Sequence, residues 1–65
     1  MESKKKWLSG SRLRIVDNDG DHVDFSFGAD WLVVESTNGD ETLVTPDDAV
    51  YLAREILNKF GGSNG

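Results

Sequence analysis

Cysteine is absent from this 65-residue chain, so neither a disulfide nor a thiolate zinc site braces it. Histidine occurs once, at His22, which leaves no multi-histidine metal site. Proline also occurs once, at Pro46, and aromatic residues make up only 9% of the chain. No apolar run approaches the ~20 residues that a membrane-spanning helix needs. The opening MESKKKWLSG has the basic stretch of a signal peptide without the apolar segment that follows in one. These absences lead to the expectation of a soluble, cytoplasmic protein with no membrane partner. A core of this size rarely contributes more than about 3–5 kcal/mol net, so association with another chain would matter to its stability.

The net charge of −5 is unevenly spread. Residues 1–14 carry Lys4, Lys5, Lys6, Arg12 and Arg14 against Glu2, a balance of +4, while the remainder carries Arg54 and Lys59 against eleven carboxylates, a balance of −9. Residues 1–10 therefore read as a basic flexible arm, 11–61 as a single domain and 62–65 as a flexible tail.

RLRIV at 12–16 and VDFSF at 23–27 alternate polar and apolar side chains, the pattern of half-buried strands. WLVVES at 31–36 is apolar on both faces, and ETLVT at 41–45 is a shorter fourth strand. The connections are short enough to demand hairpins. TPDDAVYLAREILNKFGG follows as a helix, with Thr45 at the N-cap, Pro46 at the first helical position and Asp48 where a capping box has Glu or Gln. Ala49, Leu52, Ala53, Ile56 and Phe60 form one apolar stripe, and Gly61 falls where a left-handed C-terminal residue is wanted. The expected fold is α+β: a four-stranded antiparallel β-meander with one C-terminal helix packed on one face.

Turn chemistry sets the expected registers. A three-residue Asn18-Asp19-Gly20 loop pairs Ile15 with Val23, Leu13 with Phe25 and Arg14 with Asp24. A type II′ turn at Gly28-Ala29 pairs Phe25 with Leu32 and Val23 with Val34. A type I′ turn at Asn38-Gly39 pairs Val34 with Leu43 and Val33 with Val44. The inner face then holds Leu13, Ile15, Val23, Phe25, Phe27, Leu32, Val34 and Leu43. Trp31, Val33 and Val44 are left on the outer face, rimmed by Arg12, Arg14, His22, Asp24 and Glu35. Adjacent apolar groups within a polar rim mark a contact surface, and Trp and Arg are enriched in binding hot spots. The candidate partner-binding residues are Trp31, Val33, Val44, Arg12, Arg14 and Glu35. Folding of Trp7 and Leu8 back over this patch is the structural alternative.

Chemistry has little purchase on the sequence. In DNDGDHVD, residues 17–24, acidic side chains recur as in a calcium loop. The position that needs glycine holds His22, and the position that needs a terminal Glu holds Gly28. Gly20 sits where a hairpin needs it, so no metal site is expected. Ser26, His22 and Asp24 lack the pocket and oxyanion hole of a hydrolytic triad. FGAD and TNGD lack the glycine spacing and lysine of a phosphate loop. No catalytic residue and no cofactor is expected.

LVTPDDAVYLAREIL resembles the ends of many small phage and actinobacterial accessory proteins, in which a strand runs into a Thr-Pro-acidic-acidic-Ala helix. That resemblance implies a host-interacting protein without a known activity. Together these readings point to a non-enzymatic interaction module that binds a protein partner, or a second copy, through the outer sheet face. The alternative is nucleic-acid binding, with Lys4, Lys5 and Lys6 on phosphates and Trp7 stacked on a base. Another is an acidic body that mimics nucleic acid.

Overall fold

The computed structural model describes residues 4–61. Five strands, β1 (Lys4–Ser9), β2 (Arg12–Val16), β3 (His22–Phe27), β4 (Leu32–Ser36) and β5 (Glu41–Val44), form one antiparallel meander in the order β1-β2-β3-β4-β5. Helix α1 (Pro46–Ile56) follows and ends in a π-helical turn, Leu57–Gly61. The class is α+β, with one strand more than the sequence pattern suggests.

The additional strand is β1, drawn from residues read as a flexible arm. Trp7 pairs with Leu13, Lys6 with Arg14 and Lys5 with Ile15, and a register shift between Trp7 and Ser9 leads into the turn. Three consecutive lysines hide this strand from a hydrophobicity pattern. As an edge strand its lysines have a physical role, because charged side chains discourage further pairing. Residues 1–3, and the segment 62–65 expected as a tail, lie outside the described residues.

The β2–β3 hairpin has the expected register, with Leu13 opposite Phe25, Arg14 opposite Asp24 and Ile15 opposite Val23. Its loop is closed by Asp17 N–H donating to Asp21 O at 2.9 Å, and Gly20 is left-handed at φ 90°. The other two registers differ. Phe25 faces Val34 and Phe27 faces Leu32, two residues from the expected pairing. A type II′ turn needs positive φ at Gly28, and Gly28 does not adopt it. A longer loop results, in which Gly28 N–H donates to Trp31 O at 3.0 Å. A shift of two leaves every side chain on its original face.

The β4–β5 register shifts by one, which exchanges the faces of β5. Leu32 faces Val44 and Val33 faces Leu43. A type I′ turn requires positive φ at both central residues, and only Gly39, at φ 89°, has it. The loop is instead a three-residue Thr37-Asn38-Gly39 connection, with Ser36 N–H donating to Asp40 O and Gly39 N–H to Ser36 O, both at 2.9 Å. It repeats the β2–β3 solution.

At the start of α1, Thr45 Oγ1 accepts from Asp48 N–H at 3.3 Å, as the N-cap pattern suggests. Its end differs. Gly61 is not left-handed, and the chain winds through the π turn instead.

The largest departure from expectation is in packing. Among the described residues no apolar side chain is buried. Leu52 is 48% exposed, Ile56 46% and Phe60 85%, so the stripe meant for the sheet does not lie against it. The radius of gyration is 12.9 Å, against about 11 Å for a compact domain of this length. The sheet's apolar face and the helix stripe are thus both unpartnered.

Candidate interaction surfaces

The sheet separates two different surfaces. On one face, register brings together Trp7, Leu13, Ile15, Val23, Phe25, Phe27, Leu32, Val34 and Val44. The Trp7 and Phe27 rings lie 6.0 Å apart at 37°, within the range of aromatic pairing. The central members are half-buried by their neighbours, whereas Trp7 and Phe27 remain 58% and 50% exposed.

The opposite face is polar and ordered by charge. Across the five strands it reads Lys6, Arg14, Asp24, Glu35, Glu41, a gradient from basic to acidic. Like charges directly opposite destabilise a ladder, and Asp24 stands directly opposite Glu35. Arg12 resolves this conflict. Its Nη2 donates to Asp24 Oδ2 at 2.9 Å and to Glu35 Oε1 at 2.7 Å. Arg14 donates from Nε to Asp24 Oδ1 at 2.7 Å and from Nη2 to Oδ2 at 2.9 Å. Asp24, 1% exposed, is the one fully buried residue among those described. Its burial is tolerable because both carboxylate oxygens accept charge-assisted hydrogen bonds.

The hydrogen bond from Arg14, helped by that from Arg12, holds the Asp24 carboxyl far below its usual 3.8 despite burial, which opposes ionisation. The same bonds to Asp24 push the Arg12 and Arg14 guanidinium pKa values up, despite the desolvation that opposes this. Arg12 Nε is buried and has no hydrogen-bond partner.

The six residues expected to form one contact patch are therefore divided. Arg12, Arg14, Val33 and Glu35 share the polar face. Val44 lies on the apolar face opposite Leu32, because the Thr37-Asn38-Gly39 loop moves β5 by one residue. Trp31 sits in the β3–β4 loop, 48% exposed, rather than within a strand. Leu43, expected to face inward, is on the polar face and 57% exposed. Trp7 faces away from the polar patch, so it does not fold back over it.

The sequence pattern pointed to the Arg14–Asp24 pair but missed Arg12 as the bridge between Asp24 and Glu35. The alternation of charge in RLR and VDF was the available signal, and only the β3–β4 register adds Glu35.

The acidic hairpin acts on itself. Asp17 Oδ1 accepts from Asp19 N–H at 2.9 Å and from Asp21 N–H at 3.1 Å, so this carboxylate braces the turn. Among the described residues no group of three or more His, Asp or Glu side chains is placed to hold a metal ion. His22, Asp24 and Ser26 alternate along β3, yet the Asp24 carboxylate is occupied by two guanidinium groups and does not orient His22. Lys4, Lys5 and Lys6 are exposed on β1, with Lys5 and Trp7 on one face and Lys4 and Lys6 on the other. No helix among the described residues is long and apolar enough to cross a membrane.

Comparison with protein families, curated proteins and solved structures finds no match to this chain.

Proposed function

We infer that this chain is a non-enzymatic protein-interaction module whose contact surface is the apolar sheet face together with the helix stripe. One observation carries the reading: among the described residues no apolar side chain is buried, while apolar groups are gathered on one sheet face and along one helix. Contiguous apolar surface of this kind mostly marks a protein contact. A partner that covers it supplies the burial that the isolated chain lacks, and binding then adds to stability by mass action. The polar face, where the sequence pattern places a contact, pairs Asp24 with Arg12 and Arg14 and Glu35 with Arg12. It has less to gain from a partner. The same ion pairs engage both arginines of that face.

Leu52→Glu tests the reading. Leu52 is already 48% exposed, so the variant keeps the circular dichroism of the parent but loses association with other protein, measured by co-sedimentation from lysate. Undiminished association of the variant would sink the proposal.

A further inference from the structure

We propose that the partner covering the apolar face is a second copy of this chain, with each α1 helix laid across the sheet of the other copy. This rests on the interaction-module reading and specifies its partner.

Three observations favour exchange. The first is the connection between β5 and α1. Val44 ends the strand and Pro46 begins the helix, leaving Thr45 alone between them, extended at φ −70° and ψ 158°. Proline fixes its own φ and biases the preceding residue toward extended backbone. The helix thus leaves β5 after a single residue, and its stripe stays exposed. Short, stiff hinges are the setting in which elements exchange between copies.

The second is complementarity of size. An 11-residue helix is roughly 16 Å long at 1.5 Å per residue. Five strands spaced by about 4.8 Å measure about 19 Å from the first to the last. One helix thus covers one sheet. Each copy offers one helix and one sheet face, so a twofold pair satisfies all four surfaces and closes.

The third is area. The chain exposes 5168 Å², against about 4,100 Å² for a compact protein of its mass. The excess is about 1,100 Å² per copy, or about 2,100 Å² for two. Stable interfaces bury about 1,200–2,000 Å² in total, so a pair requires no more surface than the chain holds in excess.

Sedimentation equilibrium of the full chain at micromolar concentration gives the first readout. The expected mass is twice 7.2 kDa. In a mixture of isotope-labelled and unlabelled chains, intermolecular nuclear Overhauser contacts are expected between Leu52 or Ile56 of one copy and Phe25 or Val34 of the other. A variant with Gly-Ser-Gly-Ser inserted between Val44 and Thr45 keeps the helix cap and frees the hinge. It is expected to sediment as a monomer, because a longer linker makes the intramolecular contact available at high effective concentration. A dimer without those contacts, or one that persists with the long linker, overturns the exchange. A series of masses beyond two, as edge-to-edge pairing of the basic β1 with the acidic β5 would give, overturns it too. A monomer in which Leu52→Glu still disrupts binding to another protein removes the second copy but leaves the interaction module standing. A monomer with intramolecular helix–sheet contacts removes both.

Discussion

Arg14 and Asp24 face each other across the β2–β3 ladder and are joined by two hydrogen bonds, Nε to Oδ1 at 2.7 Å and Nη2 to Oδ2 at 2.9 Å. This bidentate pair has the geometry that distinguishes arginine from lysine as a carboxylate partner. Arg12 extends it to Glu35, so one polar cluster ties together β2, β3 and β4.

Removal of the central charge should therefore cost more than an ordinary surface substitution. Asp24→Asn leaves Arg12 and Arg14 without their shared carboxylate, and loss of one member of a buried ion pair is strongly destabilising. The expected result is a melting temperature lower by roughly 5 °C or more, in a small domain where single substitutions readily have such effects. Thermal unfolding followed by circular dichroism measures it. An unchanged melting temperature would show that the cluster contributes nothing to stability.

The same carboxylate sets an acid response. Its folded-state pKa lies below its ordinary value of 3.8, so the unfolded chain takes up the proton first. The contribution of Asp24 is complete above that ordinary value and declines as pH falls below it. Stability attributable to Asp24 should be flat from pH 5 to pH 8. The difference between the parent and Asp24→Asn should shrink as pH is lowered below about 4. Melting curves of both proteins across this range provide the check, and a difference that grows toward acid contradicts the assignment.

Gly39 offers a separate test of the β4–β5 loop. At φ 89° the residue is left-handed, and a Cβ built there meets nothing within 4 Å. The cost of Gly39→Ala is thus conformational rather than steric, and about 1 kcal/mol or more is expected. D-Alanine, whose preferred φ is positive, should instead stabilise by up to about 1 kcal/mol through the unfolded state. Chemical synthesis and denaturant titration compare the two. Equal effects of the two enantiomers would rule out the left-handed loop.

Leu43 and Val44 report on the register of β5. Leu43 is on the polar face and 57% exposed, while Val44 faces Leu32 and is half-buried. Leu43→Thr should change stability by less than about 0.5 kcal/mol, as an exposed substitution does. Val44→Asn should cost more, by about 1 kcal/mol or above. The reverse order in urea denaturation would restore the register that an Asn-Gly type I′ turn implies.

What was legible in the sequence was local. Alternation in RLRIV and VDFSF marked two strands. Gly20 located a three-residue loop, and that loop alone aligned Arg14 with Asp24. Thr45 and Pro46 located the start of the helix. Each of these depends on neighbours within a few residues, where backbone stereochemistry leaves few solutions.

What the tertiary structure decided depended on partners far along the chain. β1 is a strand because β2 offers it a hydrogen-bonding edge, although its lysines do not form an apolar pattern. Glu35 joins the cluster only because β3 and β4 pair two residues from the register a Gly28 turn suggested, which Arg12 makes tolerable. The helix stripe is plain in the sequence, but its position relative to the sheet is not. In the structure that stripe lies exposed off its own sheet, and hydrophobic periodicity contains no information about the direction in which a helix leaves the strand before it.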